Sequence, residues 1–150
     1  MNVLEKFTDK ENNTHEIIYV KNIHETEYKD WFLESCKEIV NNGHALEIWD
    51  YKLTSFHSII WLKNKQPFLH FSFIPNKHYG LLVDLIIYAS PQGRKLKYTL
   101  KMMEIFKQWA KKNNYTGTCG LIHTTNKRSL EFCKRAGFKM PFYFAILDFN

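Results

Sequence analysis

Residues 80–89, GLLVDLIIYA, form a nearly unbroken apolar run that leads into PQGRKLKYT (residues 91–99) and then into a long basic helical pattern. An apolar run of this length without polar alternation predicts a central β-strand covered on both faces. Asp84 is the charged residue that interrupts it. A strand that passes straight into a helix is a junction at which many folds hold a phosphate, because the helix N-terminus presents free N–H groups. Phosphate loops normally rely on glycine. This one has a single early Gly93 and then places Lys95, Lys97 and Thr99.

The pattern on either side sets the architecture. HEIIYVKN (15–22) is a β-branched run and reads as a strand. Residues 25–43 read as a helix, with Tyr28, Phe32, Leu33, Cys36, Ile39 and Val40 at helical steps and Gly43 as its stop. Within that helix Trp31 belongs to the core or its flank. Residues 44–55 carry no clear signal. FHSIIWLKNKQPFLHFSFIP (56–75) is strand, turn, strand about KNKQP. From 95 to 112 the helical period is strong: Leu96, Leu100, Met103, Phe106 and Ala110 form one stripe, and Lys97, Lys101, Glu104, Gln108 and Lys111 another. A strand over 116–124 follows, then a short helix in NKRSLEFCKRAGF with Asn126 as N-cap and Gly137 as C-terminal glycine. A last strand, 142–149, closes the chain. This order predicts an α/β (α+β) fold in which helices flank a mixed central sheet, and the 150 residues suit one domain.

Charge is divided along the chain. From Arg94 to Lys139 there are twelve Lys and Arg against Glu104 and Glu131, while the remainder is net acidic. Such a cationic half points to an anionic partner, whether phosphate ester, nucleic acid or acidic protein, or else to a solvated lysine-rich helix face. Cys36, Cys119 and Cys133 are widely spaced, and the seven His show no metal-ligand spacing, so neither a disulfide framework nor a metal site is expected. No Gly-x-Ser-x-Gly elbow occurs. Without an apolar leader or a run near the roughly 20 residues that span a bilayer, the chain is expected to be soluble and cytoplasmic, with no membrane partner.

The C-terminal half resembles the GNAT superfamily of acetyl-CoA-dependent N-acetyltransferases. Pro91 and Arg94 match the family's P-x-x-R-G-x-G-x-G/A loop, and NKRSLEFCKRAGF matches its second motif at Asn126, Ser129, Phe132, Arg135, Gly137 and Phe138. The resemblance implies a GNAT-like fold, acetyl-CoA as cofactor and an amine as acceptor. Its cofactor loop falls on Gln92, Gly93, Arg94, Lys95, Lys97 and Thr99, with Asn126 opening the second motif. The loop departs from the pattern: the three small-residue positions are Lys95, Lys97 and Thr99, which offer mobile charge in place of a fixed backbone cradle. Weakened or lost acetyl-CoA binding is the consequence to expect.

Three residues are candidates for the chemistry. The family's tyrosine, which protonates the departing thiolate, is replaced by Cys133, either a proton donor or a small apolar side chain. A base must keep the attacking amine neutral. Asp84 and His123 are the candidates. The competing assignments are an ion pair or a strand bulge for Asp84, and a packed or capping role for His123. A second reading stays open beside the enzyme. On it the chain is a non-enzymatic protein similar to the GNAT-like internal virion proteins of short-tailed phages, in virion or host cytoplasm, contacting DNA or virion proteins through its basic half.

Overall fold

The computed structural model describes residues 1–43, 55–120, 122 and 126–139. The candidate His123, the closing strand expected over 142–149 and most of the unassigned stretch after residue 43 lie outside the described residues. Six strands form one sheet: β1 (Asn2–Thr8), β2 (Thr14–Val20), β3 (His57–Lys63), β4 (Gln66–Asn76), β5 (Leu81–Ala89) and β6 (Gly117–Thr118). They lie in chain order. Strands β1 to β5 pair antiparallel, and β5 pairs parallel with β6. The helices are α1 (Lys29–Asn41), α2 (Leu96–Lys112) and α3 (Lys127–Ala136). This is the expected α+β arrangement, a mixed sheet flanked by helices.

Successive strand residues point to opposite faces, so the apolar run of β3 supplies two cores. Ile17, Ile59, Trp61, Phe71 and Phe73 pack with Met102, Met103 and Phe106 of α2 and with Phe132 and Cys133 of α3. Their chain neighbours Ile18, Ile60 and Leu62 pack on the other face with Phe32 and Cys36 of α1. The strands buried on both faces are therefore β3 and the middle of β4. Strand β5, expected to be covered on both faces, is fifth of the six, and every residue from Val83 to Ala89 is only half-buried.

The elements form where the sequence permits. Strands β3 and β4 join through Asn64 and Lys65, both left-handed (φ 51° and 67°), the mirror-image geometry that matches strand twist. Helix α1 starts later than its periodicity suggests. A 3-10 turn, Ile23–Glu25, precedes it, capped by Asn22 and closed by Thr26, whose hydroxyl donates to Ile23 O at 2.8 Å. Helix α3 opens with Asn126 Oδ1 accepting from Ser129 N at 3.1 Å and ends at Gly137, left-handed at φ 83°.

Strand β1 is absent from the sequence pattern for a physical reason. A register shift between Val3 and Glu5 breaks its alternation. It is fastened from both sides. Lys101 of α2 bonds Glu5 at 2.5 Å and places its ammonium 3.9 Å from the Phe7 ring centroid. Asp9, at the strand's end, accepts from His15 Nε2 at 3.0 Å, while Trp61 Nε1 donates to His15 Nδ1 at 3.0 Å. The Trp61 bond fixes the tautomer with the proton on Nε2, and the hydrogen bond from His15 Nε2 holds the Asp9 carboxyl below its usual range.

Between α1 and the sheet runs a buried polar chain. Ser35 Oγ donates to Phe32 O at 2.7 Å, so it must accept from His70 Nε2 at 2.8 Å. His70 Nδ1 then accepts from Ser72 Oγ at 2.9 Å, which leaves Ser58 to donate to Ser72 at 2.6 Å. Every proton along this chain of Ser35, His70, Ser72 and Ser58 is assigned and each of the four side chains is hydrogen-bonded. Burial pushes the His70 pKa down to about 3, from an ordinary 6.5.

Two predictions follow from this packing. The unfolded chain protonates His70 below its ordinary value and the folded chain does not, so His70 contributes stability above pH 6.5 that is lost as pH falls towards about 3. The slope contributed is at most about 1.4 kcal/mol per pH unit. In His70→Asn, melting measured between those limits should show a flatter acid slope; equal slopes would contradict the assignment. The second concerns Gly93, where an added Cβ would lie 2.6 Å from Phe68 Cδ2 and 2.7 Å from Phe68 O. Backbone cannot yield as a side chain can, so Gly93→Ala should destabilise by about 1–3 kcal/mol and lower the melting midpoint by about 3–10 °C. An unchanged midpoint would refute the close packing.

Candidate functional site

The site begins where β5 runs past its last described pairing with β6. Among the described residues, pairing between β5 and β6 covers Leu81 with Gly117 and Leu82 with Thr118. Two further bonds follow, Cys119 N to Leu82 O at 3.0 Å and Leu85 N to Cys119 O at 3.2 Å. Gly120 still lies close, since an added Cβ there would be 2.9 Å from Leu85 O. Beyond it, β5 continues to Ala89 with no partner on this edge among the described residues. Leu85 N faces β6, and Ser90 N faces β4, donating to Phe68 O at 2.8 Å. Strand alternation between them turns the Ile87 N–H to the open edge.

A bulge accompanies the opening. The register between β4 and β5 shifts between Ser72 and Ile74, and opposite it Asp84 has left-handed φ 54°. Of the readings weighed for Asp84, the bulge is the one observed. The carboxyl makes no hydrogen bond or ion pair with a described residue, and partial burial raises its pKa. A carboxylate in such a position holds a proton more readily than a solvated one, as a base requires.

The loop after β5 leads to a free helix N-terminus. Residues Pro91–Gly93 form a 3-10 turn, with Gln92 exposed and Gly93 buried against Phe68. Lys95 is the N-cap of α2 and its side chain does not cap. Its carbonyl accepts from Tyr98 N at 2.9 Å and Thr99 N at 3.4 Å. Leu96 and Lys97, the first helical residues, have N–H groups without a partner among the described residues, as a helix start leaves them. No acidic residue stands in the first turn. The exposed side chains of Lys95 and Lys97 add positive charge to the positive end of the helix dipole. Lys97 reaches back over the Tyr98 ring, 5.0 Å from its centroid. Such an end attracts anions by dipole and charge without glycine, and Leu96, Lys97, Lys95 and Gln92 are the groups that could hold a phosphate.

The remaining candidates fall in different places. Arg94 is engaged elsewhere: its Nε donates to Ala89 O at 2.9 Å and its Nη2 pairs with Glu38 of α1. Asn126 caps α3. Cys133 is buried in the core beneath α3, and burial raises its thiol to about 11, so it stays protonated at neutral pH. Thr99 is half-buried in the first turn of α2. Sequence reasoning missed Glu38 and Tyr88, whose hydroxyl donates to Glu38 Oε2 at 2.7 Å. It also missed the Ile87 N–H, a backbone group that no residue type announces.

The basic stretch is partly neutralised. Arg94, Lys101 and Arg135 are in ion pairs, and Lys107 donates to Ala136 O at 3.0 Å at the end of α3. No described helix is long and apolar enough to cross a membrane.

No protein-family model matches the sequence, and no curated protein sequence matches it either. Solved structures do match. The aminoglycoside N-acetyltransferase AAC(6')-Iy in complex with CoA superposes with TM-score 0.60 at 12% identity, covering 91% of this chain and 95% of that one. A predicted acetyltransferase from Clostridium acetobutylicum, with acetyl-CoA, gives TM-score 0.55 at 16% identity, covering 88% and 96%. An integron cassette protein from V. cholerae gives 0.59 at 14% identity, covering 90% and 93%. At these identities the likeness is one of fold, and the chain has the fold of the GNAT acetyltransferases.

Proposed function

We propose that the chain takes acetyl-CoA at the open edge of β5 and transfers its acetyl group to an amine. The observation that carries this reading is the conjunction of two sets of N–H groups without a partner among the described residues. Ile87 N–H faces the open edge, and Leu96 and Lys97 N–H stand at the cationic start of α2, one short loop away. Acetyl-CoA supplies an activated acyl group together with a pyrophosphate, and the two sets answer those two needs. The Ile87 N–H would donate to the thioester oxygen, where charge develops during attack. The start of α2 would hold the pyrophosphate, with Lys95 and Lys97 in place of the family's glycine cradle. That exchange gives weaker, more salt-sensitive binding.

Asp84 takes the proton of the attacking amine on this reading, directly or through one water. Cys133, protonated and beneath α3, replaces the family's tyrosine, and its burial favours a packing role over proton delivery. A second reading, contact with DNA or virion proteins, has its own support. Lys111, Lys112, Lys127, Arg128, Lys134 and Lys139 are exposed and have no ion pair among the described residues. Duplex DNA binding by this face would fall steeply with salt.

The test is thiol release from acetyl-CoA across a panel of primary amines. The expected result is turnover with at least one amine and a loss of about a hundredfold in kcat for Asp84→Asn with unchanged melting. Turnover should also fall in acid at a higher pH than an ordinary Asp would dictate, because burial raises the Asp84 pKa and protonation removes the base. No thiol release with any amine would sink the enzyme reading, and equal turnover in Asp84→Asn would remove Asp84 as the base.

A further inference from the structure

Glu38 touches both ends of the loop between the open edge of β5 and the start of α2. It sits on α1, on the sheet face opposite α2, and its two carboxylate oxygens have different partners. Oε1 pairs with Arg94 Nη2, and Oε2 accepts from Tyr88 Oη at 2.7 Å. Arg94 in turn donates through Nε to Ala89 O at 2.9 Å. Tyr88 and Ala89 are the last residues of β5, and Arg94 immediately precedes the N-cap Lys95. One carboxylate and one guanidinium thus tie the strand end, the loop and α1 into a closed set of hydrogen bonds.

We propose that Glu38 is a positioning residue. Through Arg94 and Tyr88 it fixes the Ile87 N–H at the open edge relative to the Leu96 and Lys97 N–H groups at the start of α2. The loop needs such an outside constraint. Its small-residue positions hold Lys95, Lys97 and Thr99, so it lacks a glycine-rich path of its own, and its internal anchor is Gly93 seated on Phe68. Arg94 supplies the second anchor because its planar fork serves two acceptors on different elements at once, which a lysine ammonium cannot do in the same geometry.

The weak alternative is an ordinary surface ion pair. The two side chains are 37% and 38% exposed, and a pair so placed contributes little by Coulomb attraction alone. What distinguishes this one is the phenol donor on the second oxygen and the guanidinium bond to a strand-end carbonyl, which make it directional. Burial of Tyr88, and then its hydrogen bond to Glu38, push the phenol up to about 12, so it remains a donor across the working pH range. The consequence for acetyl-CoA rests on the acyltransferase reading above, whereas the fixing of the loop does not.

Two measurements separate those parts: amide hydrogen exchange, and calorimetric titration with acetyl-CoA, each on wild type, Glu38→Gln and Tyr88→Phe. The expected result for Glu38→Gln is about tenfold faster exchange over residues 86–97, with β3 and β4 unchanged, and acetyl-CoA affinity weakened about three- to tenfold. Tyr88→Phe, which removes one of the two arms, should give the same pattern at smaller size. It also decides the matter if Glu38→Gln loosens the whole fold. Unchanged local exchange in both variants overturns the proposal, even if affinity falls, because the carboxylate would then act only through its charge. Faster local exchange with unchanged affinity overturns the link from loop to ligand. A wild type that binds no acetyl-CoA removes the acyltransferase reading, and exchange alone then decides whether Glu38 holds the loop.

Discussion

Among the described residues, strand β5 has a neighbour along most of one edge and along the first part of the other, and the candidate site follows from that inequality. Backbone N–H groups inside a sheet are normally paired, and an unpaired one away from water is costly. The bulge at Asp84 and the close approach of Gly120 to Leu85 mark where the described part of the parallel pair ends. Past that point the Ile87 N–H faces outward from the edge, and the strand is half-buried where a fully covered one was expected. A donor held in a rigid strand requires little reorganisation when charge appears opposite it, which is the basis of electrostatic preorganisation.

The start of α2 presents a second solution to a familiar problem. Anion loops usually combine a helix N-terminus with glycines that let the backbone approach the ligand. Here the helix end is kept and the glycines are replaced by Lys95, Lys97 and Thr99. The loop's own glycine, Gly93, lies before those positions and serves close packing on Phe68. The loop is therefore held by its neighbours, Phe68 beneath and Glu38 beside it through Arg94. On the proposed reading, charge on mobile side chains would take part of the role that fixed N–H groups have in a glycine loop.

Much of the fold was legible because its signals are local. Helix α3 declared itself through Asn126 and Gly137, both of which cap as their residue types suggest. Helix α2 showed its period, although Leu96 proved 37% exposed at the first turn. Strand β1 was illegible because a register shift breaks its alternation and its partners come from β2 and from Lys101 of α2, far along the chain. Within the site, Asp84 stood out as a charge in an apolar run, and the bulge accounts for its presence there. Arg94 was recognisable as part of a phosphate-loop pattern, but a motif cannot say where its side chain points. Its partner Glu38 lies 56 residues away in sequence. The opening of β5 was hidden for the same reason: an apolar strand reads alike whether one edge or both are paired.

The most direct measurement is a titration with acetyl-CoA followed residue by residue through backbone amide resonances, at low and moderate salt. The account predicts saturable changes at Ile87, Leu96 and Lys97 with a single stoichiometric site. It would be contradicted if those three amides stayed still, whether nothing moved or the changes fell instead on the exposed basic residues of α3 and vanished in salt.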